Sequence, residues 1–283
     1  MSATFHSFPA PAKLNLLLHV VGKRPDGYHL LETVFRFIDL NDTVELAVRP
    51  DGVIELLNPT DGVPPDEDLT VRAAKLLQQH SACPLGVSIR LTKRIPMGGG
   101  LGGGSSDAAT VLLALNHLWG TGVSRQTLME LGLSLGADVP VFIFGRNALA
   151  TGVGEKLNEI NLQPAWYVVI HPGVHVPTAK IFQNFSQQVL TEQGRISIMR
   201  ILQTTQQRRN DLQSVVVKMY PAVNKVLSEL SKYGFPLMTG SGACVFLECK
   251  SKDEADKVYQ AVSKEYDGFV VKGLDSHPLI DMV

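Results

Sequence analysis

Between residues 14 and 21 apolar and polar positions alternate, with Leu14, Leu16, Leu18 and Val20 on one side and Lys13, Asn15 and His19 on the other. That period of two predicts a β-strand with one buried face. Arg24, Pro25, Asp26 and Gly27 follow as a turn. Residues 30–40 and 43–48 read as two further strands joined by a hairpin turn at Asn41 and Asp42. Residues 50–68 are loop-like apart from a short strand near 53–57, and residues 68–80 carry Leu69, Ala73, Leu76 and Leu77 at helical spacing. An alternating strand over 87–95 runs into Pro96, Met97, Gly98, Gly99, Gly100, Leu101, Gly102, Gly103, Gly104, Ser105 and Ser106. That stretch predicts neither helix nor strand interior, because glycine loses too much backbone entropy in either. Residues 107–118 form an Ala/Leu/Val helix, apolar nearly all round and therefore expected to be buried. Ser124 is an N-cap for a helix over 125–135 that stops at Gly136, and Asp138, Val139 and Pro140 restart the chain into 141–144.

Near residue 160 the pattern changes. Residues 166–171 read as a strand, with Pro172, Gly173, Pro177 and Thr178 punctuating the loop behind it. Residues 187–210 are polar with little periodicity, 221–233 predict a helix, and 243–248, 252–264 and 269–273 predict strand, helix, strand. The expected domains are therefore residues 1–160 and 161–283.

Composition narrows the class. The 283 residues are 45% hydrophobic and 19% charged, as in soluble globular domains. A net charge of −1 with no block of Lys or Arg argues against a nucleic-acid partner. Cys83, Cys244 and Cys249 fit neither a zinc site nor a disulfide framework. No apolar stretch approaches the roughly 20 residues that span a bilayer, and the start carries no basic segment followed by an apolar run. The expectation is a cytoplasmic protein with no membrane partner, a monomer or weak homodimer.

The glycine stretch carries the chemistry. Six glycines stand in the seven positions 98–104, between a strand and a helix. Such a turn aims several amides and the positive end of the helix dipole at one anion, and a side chain there would hold a phosphate away. Ser105 and Ser106 add hydroxyl donors. No Lys follows Gly104, so this is not the P-loop pattern, and no ribose-binding acid supports a dinucleotide reading.

Residues 96–106 followed by Asp107, Ala108 and Ala109 resemble the phosphate-binding motif of the GHMP small-molecule kinases. Pro11, Ala12, Lys13, Leu14, Asn15 and Leu16, then Asp26, Gly27, Tyr28 and His29, narrow the resemblance within that family, as do Leu135 to Pro140 and Thr239 to Cys244. The resemblance implies an α+β, two-lobed GHMP kinase fold, with an N-terminal domain like domain 2 of ribosomal protein S5 and a C-terminal ferredoxin-like domain. It implies ATP as phosphoryl donor; the chemistry requires Mg²⁺ delivered with ATP, and the sequence shows no dedicated carboxylate cluster to hold it, so no metal-binding residue is expected. The implied acceptor is the 2-hydroxyl of a cytidine diphosphate ester of methylerythritol, in the non-mevalonate route to isoprenoid precursors.

Residue by residue, the resemblance makes Asp138 the general base and Lys13 the stabilising cation. ATP is expected on Pro96 through Ser106, and Lys93 near the nucleotide. Tyr28 and Phe182 are expected to sandwich the cytosine, His29 to read its edge, and Asn15, Val153 and Thr178 to line the substrate side. From spacing alone Asp138 reads as a helix N-cap, Lys13 as a solvated lysine and Phe182 as core. Gly240 to Gly242 form either a second anion nest or a tight turn. The substrates of kinases for other alcohols carry no pyrimidine for the Asp26-Gly27-Tyr28-His29 turn to stack, a mere binding module needs no Lys13–Asp138 pair, and a serine hydrolase would need the Gly-x-Ser-x-Gly elbow that is missing.

Overall fold

The computed structural model describes residues 4–59, 62–185 and 205–283. Its spine is a long antiparallel ribbon, β1 (His6–Lys23) and β2 (His29–Arg49), with the predicted turn at its tip. Arg24 N donates to Tyr28 O at 2.7 Å there, and Gly27 takes φ 92°. β1 starts earlier than alternation predicts, because Pro9 and Pro11 look like breakers. Its partner in the ladder is β2, so the missing proline donors cost no second ladder.

Asn41 and Asp42 do not form a hairpin turn. β2 runs straight through them, with Pro11 opposite Asn41 and Ala10 opposite Asp42. The Asp42 carboxylate is fully buried and accepts from Arg94 N (2.5 Å) and Ile95 N (2.8 Å), so long-range donors satisfy what reads locally as a turn residue.

Along its other edge β2 takes β5 (Ala148–Thr151), the end of β10 (Asp267–Leu274) and β4 (Gly86–Thr92) in turn. β3 (Ile54–Leu56) lies parallel on β4, and β6 (Lys156–Glu159) closes on β5. Beyond β10 the sheet continues through β7 (Trp166–His171), β9 (Val245–Cys249) and β8 (Leu237–Met238). A single sheet thus crosses both lobes.

The first lobe packs α1 (Leu69–Ser81), α2 (Gly103–Leu118), α3 (Arg125–Leu135) and α4 (Val139–Phe144) into one core with the ribbon. α2 is buried along Ser106 to Asn116, as its apolar sequence requires, and each such Leu or Val contributes about 1.5–3 kcal/mol of burial. α5 (Thr178–Asn184), α6 (Gln213–Met219), α7 (Pro221–Leu230) and α8 (Lys252–Val262) build the second lobe's core around Val168, Ile170 and Val245. A third cluster joins Leu14, Leu17 and Ile38 of the ribbon to Tyr167, Val169 and Phe246. The ribbon is therefore covered on both faces, which is why its burial does not alternate. α5, β5 and β6 carry too few residues for a periodic signal, and residues 187–204 of the polar stretch lie outside those described. Among the described residues no helix is long and apolar enough to cross a membrane.

Candidate active site

Between the lobes opens a cavity of about 940 Å³. Its floor comes from a bulge in β1 between Asn15 and Leu17. One extra residue there flips the alternation, so Lys13, Asn15 and Leu18 face the cavity beside Thr33 and Phe35. His19, expected on the same side as Lys13, is consequently not part of the lining.

Lys13 is only 2% exposed, a costly position for an ammonium unless partnered. Its Nζ donates to Asn15 Oδ1 (2.6 Å), lies 3.2 Å from Asp138 Oδ2, and stands 5.5 Å over the Phe35 ring. Asn15 is fixed in turn, with its Nδ2 donating to Thr33 Oγ1 (2.8 Å) and its backbone N to Thr239 Oγ1 (2.9 Å). Asp138 does occupy the N-cap position of α4, yet its side chain makes no capping hydrogen bond. The carboxylate, 36% exposed, turns to Lys13 and the cavity instead.

One wall is the glycine loop. α2 begins at Gly103, not at Asp107, so Gly103 to Ser106 are its first turn rather than loop. Glycine is tolerated at a helix start, where amides have no partner in their own helix and small residues leave them open. Gly103, Gly104 and Ser105 line the cavity, and Ser106 N is already bonded to Gly102 O at 2.9 Å. Ser106, expected among the ATP ligands, has its hydroxyl fully buried and donating to Pro11 O at 2.7 Å; it is not in the lining. Every other expected residue of the loop, Pro96 through Ser105, lines the cavity.

The segment 239–244 clasps the loop from the second lobe. Ala243 N donates to Gly98 O (3.1 Å), Cys244 N to Gly99 O (3.0 Å), and Gly242 N closes a tight turn on Thr239 O (3.0 Å). Gly100 has φ 74°, and a Cβ there would stand 2.3 Å from Thr239 O. Asn210 braces this turn from behind, donating to Met238 O (2.8 Å) and Gly240 O (2.7 Å).

At the far end lie Tyr28, His29, Val153, Thr178 and Phe182. Phe182 stacks on His29, with centroids 5.1 Å apart and planes at 30°, while Tyr28 is 63% exposed at the ribbon tip. Burial, then the Lys23 charge, lowers the His29 pKa, so its imidazole is neutral and offers one donor and one acceptor. Val153 N donates to Glu155 Oε2 (2.6 Å), and the Thr178 and Ser241 hydroxyls meet at 2.7 Å within the second lobe.

The structure thus brings Lys13, Asn15, Tyr28, His29, Pro96 to Ser105, Asp138, Val153, Thr178 and Phe182 to one cavity. Lys93 lines it too, held by Asp42 and Asp107. Sequence reasoning missed Thr33, Asp42, Asp107 and Thr239. A charged residue early in an apolar helix was a usable signal for Asp107, and the motif from Thr239 to Cys244 was one for Thr239; Thr33 and Asp42 carry none. Among the described residues no group of three or more His, Cys, Asp or Glu side chains is placed to hold a metal ion.

The GHMP kinases N terminal domain matches residues 68–146, and the GHMP kinases C terminal domain matches residues 188–268. The chain is 75% identical over 281 residues to the 4-diphosphocytidyl-2-C-methyl-D-erythritol kinase of Chromobacterium violaceum, covering 99% of each. It is 55% identical over 277 residues to the protein of the same name from Thiobacillus denitrificans, covering 98% of each. A crystal structure of 4-(cytidine 5'-diphospho)-2C-methyl-D-erythritol kinase matches with a TM-score of 0.83 at 36% identity, covering 95% of this chain and 99% of that one. A mevalonate kinase crystal structure matches at 0.68 and 15% identity, over 95% and 99%, a likeness of fold alone.

Proposed function

Since the chain belongs to the GHMP kinases and is an ATP-dependent kinase, we propose that it phosphorylates the 2-hydroxyl of 4-diphosphocytidyl-2-C-methyl-D-erythritol, in the non-mevalonate route to isoprenoid precursors. The observation that carries this reading is the Lys13–Asp138 pair, 3.2 Å apart, sharing one cavity with the glycine loop and the aromatic end at Tyr28, His29 and Phe182.

Phosphoryl transfer to an alcohol asks for alignment and charge neutralisation more than for covalent chemistry. Asp138 accepts the proton of the 2-hydroxyl as the hydroxyl oxygen attacks the γ-phosphorus and the bond from that phosphorus to the departing ADP breaks. Lys13, pinned by Asn15, offsets the charge developing between that oxygen and the phosphoryl group. The first-turn amides of α2 hold the donor's phosphates. The second substrate is MgATP; the ion comes with the nucleotide and neutralises its phosphates. Tyr28 and Phe182 flank the cytosine once it enters between them, stacking that is worth roughly 1–3 kcal/mol per base. His29 presents its neutral imidazole and main chain to the base edge.

An ADP-release assay with the cytidine diphosphate ester, run beside mevalonate and homoserine, checks the substrate. Turnover confined to the ester, with the new phosphate on C2 by NMR of the product, is the expected result. Faster turnover of an alcohol lacking the base would refute the assignment.

A further inference from the structure

Behind the glycine loop sits a charged cluster that the transfer itself does not use. Lys93 Nζ lies between Asp42 Oδ2 and Asp107 Oδ2, 2.6 Å from the latter. Both carboxylates are buried, at 0% and 3% exposure. Two anions on one cation leave a net negative charge close behind a cradle built for phosphate. Lys93 also lines the cavity, and its Nζ is 3.2 Å from where a Cβ on Gly103 would stand, so this charge is felt at the first turn of α2.

The two carboxylates are not equivalent. Asp42 accepts from Lys93, Arg94 N and Ile95 N, so a proton placed there displaces a donor. Asp107 Oδ1 is buried with no hydrogen-bond partner among the described residues, so a proton there displaces no donor and lessens the cost of a buried charge that Lys93 shares with Asp42. The other charged groups nearby are engaged elsewhere: Lys13 of β1 with Asn15 and Asp138, and Asp68 at the start of α1 with Thr70.

We propose that binding of a nucleotide's phosphates in this cavity shifts Asp107 towards its protonated form with a proton taken from solvent, leaving the Asp42–Lys93 pair neutral behind the cradle. Asp107 is then a positioning residue whose protonation matches the site to its anionic ligand. The proposal rests on the glycine loop being the nucleotide's phosphate site. The titration of the empty cluster is in the right range: burial, partly offset by Lys93 and reinforced by Asp42, pushes the Asp107 carboxyl up to about 7. Burial disfavours the Lys93 ammonium, but the two carboxylates outweigh it and raise its pKa, so Lys93 stays charged throughout.

Calorimetry of MgADP binding, in pairs of buffers that differ in ionisation enthalpy, counts the protons. If the bound phosphates lift the Asp107 pKa by one unit, uptake is about 0.4 proton at pH 8 and below about 0.1 at pH 6, and affinity falls about tenfold between pH 6 and pH 9. Asp107→Asn, neutral at every pH, is expected to bind MgADP with that uptake lost and the pH dependence flattened, a change that a purely structural role would not produce. The pH series on the parent protein decides the matter even if the variant does not fold. MgADP binding without proton uptake, uptake that does not decline towards pH 6, or uptake retained in Asp107→Asn overturns the proposal and leaves the nucleotide reading standing. Failure of MgADP to bind at all removes both.

Discussion

Lys13 shows how little of a residue's role is local. Sequence spacing makes it a solvated lysine at a strand start, yet it is buried, and what makes that burial tolerable is Asn15 two residues away and Asp138 on a helix of the same lobe. Because Asp138 lends nothing to its helix cap, replacing its charge leaves the helix start intact and alters only its pairing with Lys13 and its access to a substrate proton. Asp138→Asn is expected to lower kcat by roughly 10²–10⁴ with MgADP affinity unchanged, measured by steady-state kinetics beside calorimetry. An unchanged kcat would remove Asp138 from the mechanism. Gly100→Ala makes the complementary case. A side chain there is strained by φ 74° and meets Thr239 O at 2.3 Å, so the loop must leave its clasp. Nucleotide affinity is expected to drop about five- to thirtyfold, from a backbone penalty of roughly 1–2 kcal/mol.

At the level of elements, the sequence was readable where one period repeats long enough. α1, α3 and β7 stand within a residue or so of expectation, and Ser124 accepts from Thr127 N as an N-cap should. It was misread where a distant partner overrides a local preference. Asn41 and Asp42 look like a turn until Arg94 and Ile95 supply donors, and the β1 bulge that aims Lys13, Asn15 and Leu18 together leaves no mark on apolar spacing. The cavity's composition was legible chiefly through motifs in the resembled family, since contacts between Asn15 and Thr239, or Lys93 and Asp42, join segments with no shared period. Ser106 illustrates the limit. As one of two adjacent serines it read as a ligand, but the start of α2 at Gly103 turns it inward to Pro11 O. Ser106→Ala is therefore expected to cost about 1–2 kcal/mol in denaturant unfolding, by leaving that carbonyl unpaired, while MgADP affinity changes less than about twofold. A selective loss of affinity with stability intact would show that Ser106 reaches the ligand after all.

Across the whole molecule, the two lobes are tied by more than the cavity they share. β10 leaves β7 at Lys272 and joins β2 at Gly273 and Leu274, after which the chain end crosses the first lobe. Asn147 bonds both sides of this seam, accepting from Phe37 N and donating to Leu274 O at 2.9 Å each, and Arg125 donates to Ile280 O (2.5 Å) and Val283 O (2.8 Å). At the centre is His277, fully buried, its Nδ1 accepting from Leu279 N at 3.1 Å and its ring edge-on to Phe37. Burial, then the Arg125 charge, pulls its pKa down to about 3. A folded-state pKa below the unfolded value of about 6.5 means that the unfolded chain binds the proton first, so this stability is complete above about pH 6.5 and drains away as pH falls towards 3. By pH 4 the loss is about 3 kcal/mol. Asp107 acts in the opposite sense, because its raised pKa lets the folded state hold a proton between about pH 4 and 7, and its share is common to parent and variant. His277→Asn keeps an acceptor for Leu279 N but cannot take up a proton. Unfolding free energies measured from pH 7 to pH 4 should therefore fall less steeply in His277→Asn than in the parent, by an amount approaching that figure. Parallel pH profiles would mean that the seam opens to solvent before the imidazole charges, and that the chain end, rather than the sheet, is the weaker of the two ties between the lobes.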